Sequence, residues 1–381
     1  MNKFDCIYLD YNATAPILPA VADCMAEAMK RHPSNASSMH RYGQQAKKLM
    51  THSRQILASH IDCPPEYIIF TSGGTEANNM ALKGYDWDHV ILSSIEHDSI
   101  FKSHLNPTLI PVDSQGLVNT EELKKELEKI QGKILVSIIY ANNETGVIQP
   151  IREIADIVHH YGGLLHIDAA QALGKIPFSF KETGADMATL CFHKIGGPIG
   201  VGALVVKESV PLSALLNGGG QERNRRSGTE NIPAILGIEE TLKSICFDEM
   251  NKRQKWHLEM ETAMENLLKE HGDTPYIFSK KANRLPNITT IALSGLENVT
   301  QVINLDLAGF AVSMGSACSS GRVKKISRPL QGICQNDVLA QSSVRISTGW
   351  DTKETDLRDF FNAWKKLYLL SKKKVKDDTA A

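Results

Sequence analysis

Leu164-Leu165-His166-Ile167-Asp168-Ala169-Ala170-Gln171, followed at the end of the next apolar run by His193-Lys194, is the stretch that decides the fold. The run ending at Asp168 reads as a buried strand and Met187–Phe192 as its neighbour. Side by side, two such strands would bring an acid and a lysine to one carboxyl edge of a sheet. Each residue has a plainer reading alone: Asp168 suits the N-cap of a helix beginning at Ala169, and Lys194 suits a solvated loop. Together those readings weaken, because Leu190-Cys191-Phe192-His193-Lys194-Ile195-Gly196-Gly197-Pro198 sets the lysine between an apolar strand and a glycine-proline turn.

Working outward, short apolar runs alternate with amphipathic segments from about residue 65 to 206. The strand candidates are Tyr67–Phe70, His89–Leu92, Leu109–Val112, Ile134–Tyr140, Gly163–Ile167, Met187–Phe192 and Ala203–Val206, with helices at Thr120–Ile130 and Ile151–His160 between them. The alternation predicts an α/β fold, a mostly parallel sheet covered by helices on both faces. Its carboxyl edge would carry Thr71-Ser72-Gly73-Gly74-Thr75, Glu96-His97, Asn142-Asn143-Glu144, Asp168 and Lys194, all polar or glycine. A helical stretch from Pro233 to His271 would lead to a second, smaller unit holding Asn287–Leu293, Gln301–Leu307 and a C-terminal helix Glu354–Leu370. Beyond it, Ser371-Lys372-Lys373-Lys374 onward reads as a frayed, solvated tail.

The chain is 381 residues long, enough for two domains with a buried core. Lys and Arg total 42 against 43 Asp and Glu, a balance that gives no reason to expect nucleic acid or an anionic membrane surface as partner. No run approaches the roughly 18 apolar residues that would cross a bilayer. Met1-Asn2-Lys3-Phe4-Asp5 shows neither signal nor transit character, so the expected location is the cytoplasm. The seven cysteines, at 6, 24, 63, 191, 246, 318 and 334, form no CxxC pair and read as thiols in a reducing compartment. No metal site is expected.

One chemistry needs both an acid and a lysine at such an edge. The lysine holds pyridoxal 5'-phosphate (PLP) as a Schiff base, and the carboxylate keeps the pyridine nitrogen protonated as an electron sink. Thr71-Ser72-Gly73-Gly74-Thr75-Glu76-Ala77-Asn78 follows a strand and opens a helix, where backbone N–H groups and the helix dipole favour a phosphate. As a glycine-rich turn alone it is a weak signal. His97 would reach the same edge for ring stacking or proton transfer. Asn142, Asn143 and Gln171 offer neutral donors suited to the cofactor's phenolic oxygen.

The ordered set of motifs resembles the cysteine desulfurases, PLP enzymes of class V aminotransferase type and fold type I. It comprises Tyr8-Leu9-Asp10-Tyr11-Asn12-Ala13-Thr14-Ala15-Pro16, Ser72-Gly73-Gly74-Thr75-Glu76, Asn142-Asn143-Glu144-Thr145-Gly146, His166-Ile167-Asp168, His193-Lys194, Arg226-Ser227-Gly228-Thr229 and Gly315-Ser316-Ala317-Cys318. The resemblance covers nearly the whole chain. It implies a large PLP-binding domain at 16–250 and a small α+β domain made of 1–15 and 251–381, the latter carrying a mobile catalytic loop at about 315–330. It further implies that Lys194 binds the cofactor and shuttles protons, Asp168 pairs with the pyridinium, Gln171 contacts the phenolic oxygen and His97 stacks on the ring. Gly74, Thr75, Cys191 and His193 would hold phosphate, and Thr229 would reach the cofactor of the neighbouring subunit in a homodimer with shared sites. Asn143 and Arg345 would hold the substrate carboxylate, and Asn35 matches a further substrate-side position.

A PLP site alone leaves transamination, racemisation, decarboxylation and elimination open. Gly315-Ser316-Ala317-Cys318-Ser319-Ser320-Gly321-Arg322 narrows the choice, since Arg322, Lys324 and Lys325 nearby would favour a thiolate. Without the PLP motifs Cys318 would read as an inert turn residue. With them it is the candidate nucleophile towards the sulfur of L-cysteine, yielding L-alanine and an enzyme persulfide. The spacing from Cys318 to Arg345 resembles the long-loop group, which implies an acceptor protein such as an iron–sulfur scaffold and a place in iron–sulfur cluster assembly. The competing readings are a selenocysteine lyase or cysteine beta-lyase on the same scaffold, and a non-catalytic PLP-fold scaffold subunit. Two positions depart from the family pattern. Cys191 stands where serine or threonine is usual and is a poorer donor to phosphate. In Ser327-Arg328-Pro329-Leu330, the proline is expected to delay the following helix.

Overall fold

In the computed structural model, residues 6–31, 35–293, 295–314 and 326–380 are described, with side chains through Lys372. The short strand β1 (Ile7–Tyr8) opens the chain. Then β2 (Ile68–Thr71), β3 (His89–Ser93), β4 (Thr108–Ile110), β5 (Ile134–Ile139), β6 (Leu164–Asp168), β7 (Met187–Cys191) and β8 (Gly202–Val206) form a seven-stranded sheet. Their order across it is β2-β8-β7-β6-β5-β3-β4. Each of the seven runs read from the sequence is present. Every residue of β2, β5, β7 and β8 is buried, as expected of strands covered on both faces.

The departure from a fully parallel sheet has a simple cause. β8 runs antiparallel to both β7 and β2. The connection from β7 to β8, residues 192–201, contains no helix, whereas a parallel crossover needs a dozen residues or more. Because β8 alone is reversed, β2, β3, β5, β6 and β7 all end at one edge. His166 ties three of these strands together: Nδ1 meets Ser137 Oγ at 2.8 Å and Nε2 meets Thr189 Oγ1 at 3.0 Å. Burial pushes its pKa down to about 4, so it bridges as a neutral ring.

A four-stranded antiparallel sheet follows: β9 (Tyr276–Ile277), β10 (Ile288–Ala292), β12 (Ser313–Met314) and β13 (Ser343–Ser347), in the order β12-β13-β10-β9. β11 (Phe310–Ala311) pairs with β1. A core of its own, with Leu9, Met264, Phe360 and Trp364, lies between this sheet and the helices Phe247–Glu270 and Glu354–Ala380. The N-terminal segment runs from here to the large sheet. Asp10 bridges to Ser347 of β13, and the Ala15 N–H donates to the His193 carbonyl at 2.8 Å.

Three sequence expectations change. The helical stretch expected over Pro233–His271 is two helices, Ile232–Lys243 and Phe247–Glu270. Ser244 caps the first, its N–H turned back to Thr241 and Leu242. The C-terminal helix continues to Ala380 rather than fraying after Leu370, since the lysine-rich end has no glycine or proline to stop it. Pro329 does not delay its helix. That helix runs Arg328–Cys334 with Ser327 as N-cap and the proline in its first turn, where the missing N–H has no helical partner to lose.

A buried ion pair fixes the turn before Arg226. Arg54 donates from Nη1 to Glu222 Oε2 (2.9 Å) and from Nη2 to Oε1 (2.7 Å), and the Phe70 N–H also donates to Oε2 at 3.0 Å. Glu222, Arg223 and Asn224 all have positive φ, backbone that non-glycine residues adopt at a cost, so the pair holds a strained turn in place. Arg54→Ala would leave the Glu222 carboxylate buried and unpaired, at an expected loss of about 3–5 kcal/mol. Urea unfolding checks it; a loss below about 1 kcal/mol would mean that the pair does not hold this turn.

Candidate active site

The edge where five strands end opens into a cavity of about 690 Å³, in the range of small-molecule sites. Gly74 and Thr75 after β2, Glu96 and His97 after β3, Asn143 and Glu144 after β5, Asp168 and Gln171 from β6, and Cys191, His193 and Lys194 from β7 line it. Arg345 of β13 and Ser327 and Arg328 close it from the other side. Ten positions expected from the sequence thus meet in one place: Gly74, Thr75, His97, Asn143, Asp168, Gln171, Cys191, His193, Lys194 and Arg345.

One end of the cavity is built for an anion. The helix Gly74–Lys83 starts there, with Gly73 at its N-cap making no side-chain capping bond. Its first N–H groups and the dipole attract negative charge. The buried Cys191 thiol accepts from the Gly74 N–H, and burial raises its pKa despite the Lys194 charge, so it stays a neutral thiol. His193 Nδ1 lies 3.1 Å from Thr14 Oγ1. Burial and the charges of Lys194 and Lys175 push its pKa down to about 4, leaving a neutral ring.

Asp168, also in the cavity wall, is 4% exposed. Its Oδ1 accepts from the Ala170 N–H at 3.0 Å and its Oδ2 from Asn78 Nδ2 at 2.9 Å. No helix begins at Ala169, where the chain makes turns instead, so Asp168 caps none and its Oδ1 only closes a local turn onto the Ala170 N–H. Asn78 spends its other hydrogen on Ser99 Oγ at 2.8 Å. Ser99 in turn meets His97 Nδ1 through Oγ (2.7 Å) and through its N–H (3.1 Å). With two donors on Nδ1, a neutral His97 carries its proton on Nε2. Asn78 thus links the acid to the ring, a function the sequence pattern did not signal because it was read only as part of a glycine-rich turn.

Burial raises the pKa of two acids in the wall. Glu96 accepts from Ser93 Oγ and from the Ile139 N–H at 2.7 Å, both on Oε1, and burial pushes its pKa up to about 8. Its Oε2 has no hydrogen-bond partner. Glu144, raised to about 7 by burial, pairs through Oε2 with Ser327 Oγ. Above them, Lys194 donates to the carbonyls of Asn12 (3.0 Å) and Ala13 (2.6 Å). Arg345 donates to Asp10 Oδ1 at 2.6 Å and to the Asn143 carbonyl at 2.9 Å.

Three expected positions are not in this cavity. Asn142 is buried in the turn after β5, its Oδ1 accepting from the Glu144 and Thr145 N–H groups and its Nδ2 donating to the Ile95 carbonyl. Asn35 is exposed, its Oδ1 accepting from the Ser37 N–H, and Thr229 is exposed beyond the strained turn. Cys318 and the rest of 315–325 lie outside the described residues. No helix among the described residues is long and apolar enough to cross a membrane.

The donor set fits PLP. A fixed carboxylate, a lysine, a helix N-terminus and orphaned polar atoms on Glu96 and Asn78 surround one cavity. A family model for class-V aminotransferases matches residues 7–360, and cysteine desulfurase IscS from Dictyoglomus turgidum is 36% identical over 364 residues, covering 92% of this chain and 91% of that one. The chain belongs to the cysteine desulfurase family of class-V aminotransferases. It is therefore an enzyme of PLP-dependent type. The cysteine desulfurase fold extends to solved structures. A NifS-like protein from Rickettsia africae matches at TM-score 0.84 with 35% identity, covering 95% of this chain and 99% of that one. A second, described as SspA in complex with cysteine, matches at TM-score 0.76 with 27% identity over 89% and 98%.

Proposed function

We propose that this enzyme converts L-cysteine to L-alanine and carries the released sulfur as a persulfide on Cys318. The observation that carries the reading is where the chain around Cys318 leaves and returns. Met314 of β12 pairs with Val344, next to Arg345, and Ile326 and Ser327 line the cavity. The described residues on either side of 315–325 thus lie beside Arg345 and in the cavity wall.

Bound PLP supplies an electron sink for negative charge at the substrate's alpha carbon. Asp168 holds the pyridine nitrogen protonated, Gln171 donates to the phenolic oxygen and His97 covers the ring. Gly74, Thr75, Cys191 and His193 hold the phosphate, with Cys191 weaker than the hydroxyl it replaces. Asn143 and Arg345 receive the substrate carboxylate once Arg345 gives up part of its hold on Asp10. Lys194 takes the alpha proton. The Cys318 thiolate then attacks the substrate sulfur: the S–S bond forms, the C–S bond breaks, and the electron pair stays with carbon. The beta carbon takes a proton, Lys194 returns the one it took to the alpha carbon, and alanine leaves.

The domain division 16–250 against 1–15 with 251–381 belongs to the same reading, as do a homodimer in which Thr229 reaches the partner's cofactor and Asn35 lies near substrate. We place the enzyme in the cytoplasm, handing sulfur to an acceptor such as an iron–sulfur scaffold. Incubation with cysteine, alanine assay and mass spectrometry of the Cys318 peptide test the chemistry. Alanine together with a sulfur adduct on Cys318 is expected. Pyruvate and ammonia in place of alanine would make the enzyme a beta-lyase.

A further inference from the structure

Behind the cavity lies a lysine that the reaction described above does not use. Lys175 is 3% exposed and does not line the cavity, yet both of its partners do. Its Nζ donates to Asn12 Oδ1 at 2.6 Å and to Gln171 Oε1. Lys175 lies four residues after Gln171 in the turns that follow β6, and the two side chains meet there. Among the described residues no carboxylate pairs with it. The charged groups that act on it are Lys194 and Arg345, both cations, with the Cys191 thiol opposing them weakly. Burial lowers its pKa well below the usual lysine range. A buried lysine with no acidic partner is a cost to the fold, which a specific task would offset.

The task follows from the donor inventory. A lysine nitrogen, charged or neutral, has hydrogens to give, and Gln171 has one accepting oxygen and two donating hydrogens. With Oε1 held by Lys175, the amide cannot turn its oxygen towards the cavity. One Nε2 hydrogen goes to the Asn12 carbonyl at 2.9 Å, which leaves the other for a ligand oxygen. Asn12 is locked by the same cluster. Its N–H donates to Ser347 Oγ at 3.0 Å, its Nδ2 donates to the Asn143 carbonyl at 3.2 Å, and its carbonyl accepts from Lys194.

We propose that Lys175 is a positioning residue, holding the Gln171 amide so that it presents N–H, and never oxygen, to the phenolic oxygen of bound PLP. This rests on the contact between Gln171 and that oxygen. A donor there stabilises negative charge on the phenolic oxygen and so lowers the pH at which the bound cofactor changes its visible absorbance. Losing a hydrogen bond to a charged group should move that midpoint upward by about one pH unit.

The test is a pH titration of visible absorbance in the holoenzymes of the native protein, Lys175→Met, Gln171→Leu and the double variant, together with PLP affinity after refilling the stripped proteins. Lys175→Met removes the donor at similar length. It should raise the midpoint as Gln171→Leu does, weaken PLP binding about tenfold, and add little in the double variant. Lys175→Gln, which keeps a donor for one of the two oxygens, is the second variant should Met fail to fold, and it should shift the midpoint part of the way. An unmoved midpoint in a folded Lys175 variant, with Gln171→Leu shifted, overturns the role of Lys175 alone. A midpoint unmoved by Gln171→Leu as well overturns the Gln171 contact on which the proposal rests.

Discussion

Lys194→Ala is expected to abolish the visible absorbance of lysine-bound cofactor and to lower alanine formation by about 10²–10⁴-fold from lost proton transfer alone. The size of the effect follows from what surrounds the residue. Lys194 follows β7 and precedes a turn in which Gly196 has a φ of +85°, where a Cβ would also meet Leu18 at 2.8 Å. Its Nζ donates to the backbone carbonyls of Asn12 and Ala13, which hold the amine at the cavity wall. Lys175 offers no substitute, since it is buried behind Asn12 and Gln171 and outside the cavity. Borohydride reduction followed by peptide mapping should label Lys194 in the native protein and nothing in the variant. A variant that kept native absorbance and turnover would remove Lys194 from the mechanism.

Much of this was legible in the sequence because the strands are short, apolar and bounded by polar edge residues. All seven strands of the large sheet lie where apolar runs predict them, and the polar residues at their carboxyl ends converge as the topology rule requires. The direction of β8 was legible in principle from the short helix-free link at 192–201. Less visible were features set by residues far apart in sequence. Asp10 pairs with Arg345 across 335 positions, and Asn12 meets Asn143, Gln171, Lys175 and Lys194 through a segment that is not part of the large sheet.

Buried acids with raised pKa values were illegible for another reason. Glu96 was visible as a polar residue at a strand end, but its protonation depends on desolvation beside Asp168, a property of packing rather than of pattern. Pro329 failed in the opposite sense. Proline breaks a helix interior but not its first turn, and its place in the first turn depends on Ser327 being the N-cap. The N-cap itself is held in place, since Ser327 Oγ pairs with Glu144 while accepting from the Leu330 N–H at 3.2 Å. Arg328 donates to Asp98 Oδ1 at 2.7 Å and lies 3.5 Å over the Phe101 ring. The segment after residue 325 is therefore fixed to the cavity wall despite its unusual sequence.

Cys318→Ser should separate the two halves of the proposed chemistry. The cofactor's proposed contacts, at Gly74, Thr75, His97, Asp168, Gln171, Cys191, His193 and Lys194, are untouched by the change, so absorbance, PLP affinity and the spectral response to added cysteine should match the native protein. A serine hydroxyl at neutral pH is a far weaker nucleophile towards sulfur than a thiolate. Alanine formation should fall by about 10³-fold or more, in line with the loss of an activated nucleophile, and no sulfur adduct should form at position 318. The other cysteines do not compensate. Among those described, Cys191 alone lines the cavity, and its thiol is buried, raised in pKa and engaged with the Gly74 N–H. Native turnover in Cys318→Ser would shift suspicion to Cys191, and the double variant Cys318→Ser with Cys191→Ser would decide between them. Loss of alanine with the spectral response intact would assign C–S bond cleavage to Cys318 and substrate binding to the cavity around Lys194.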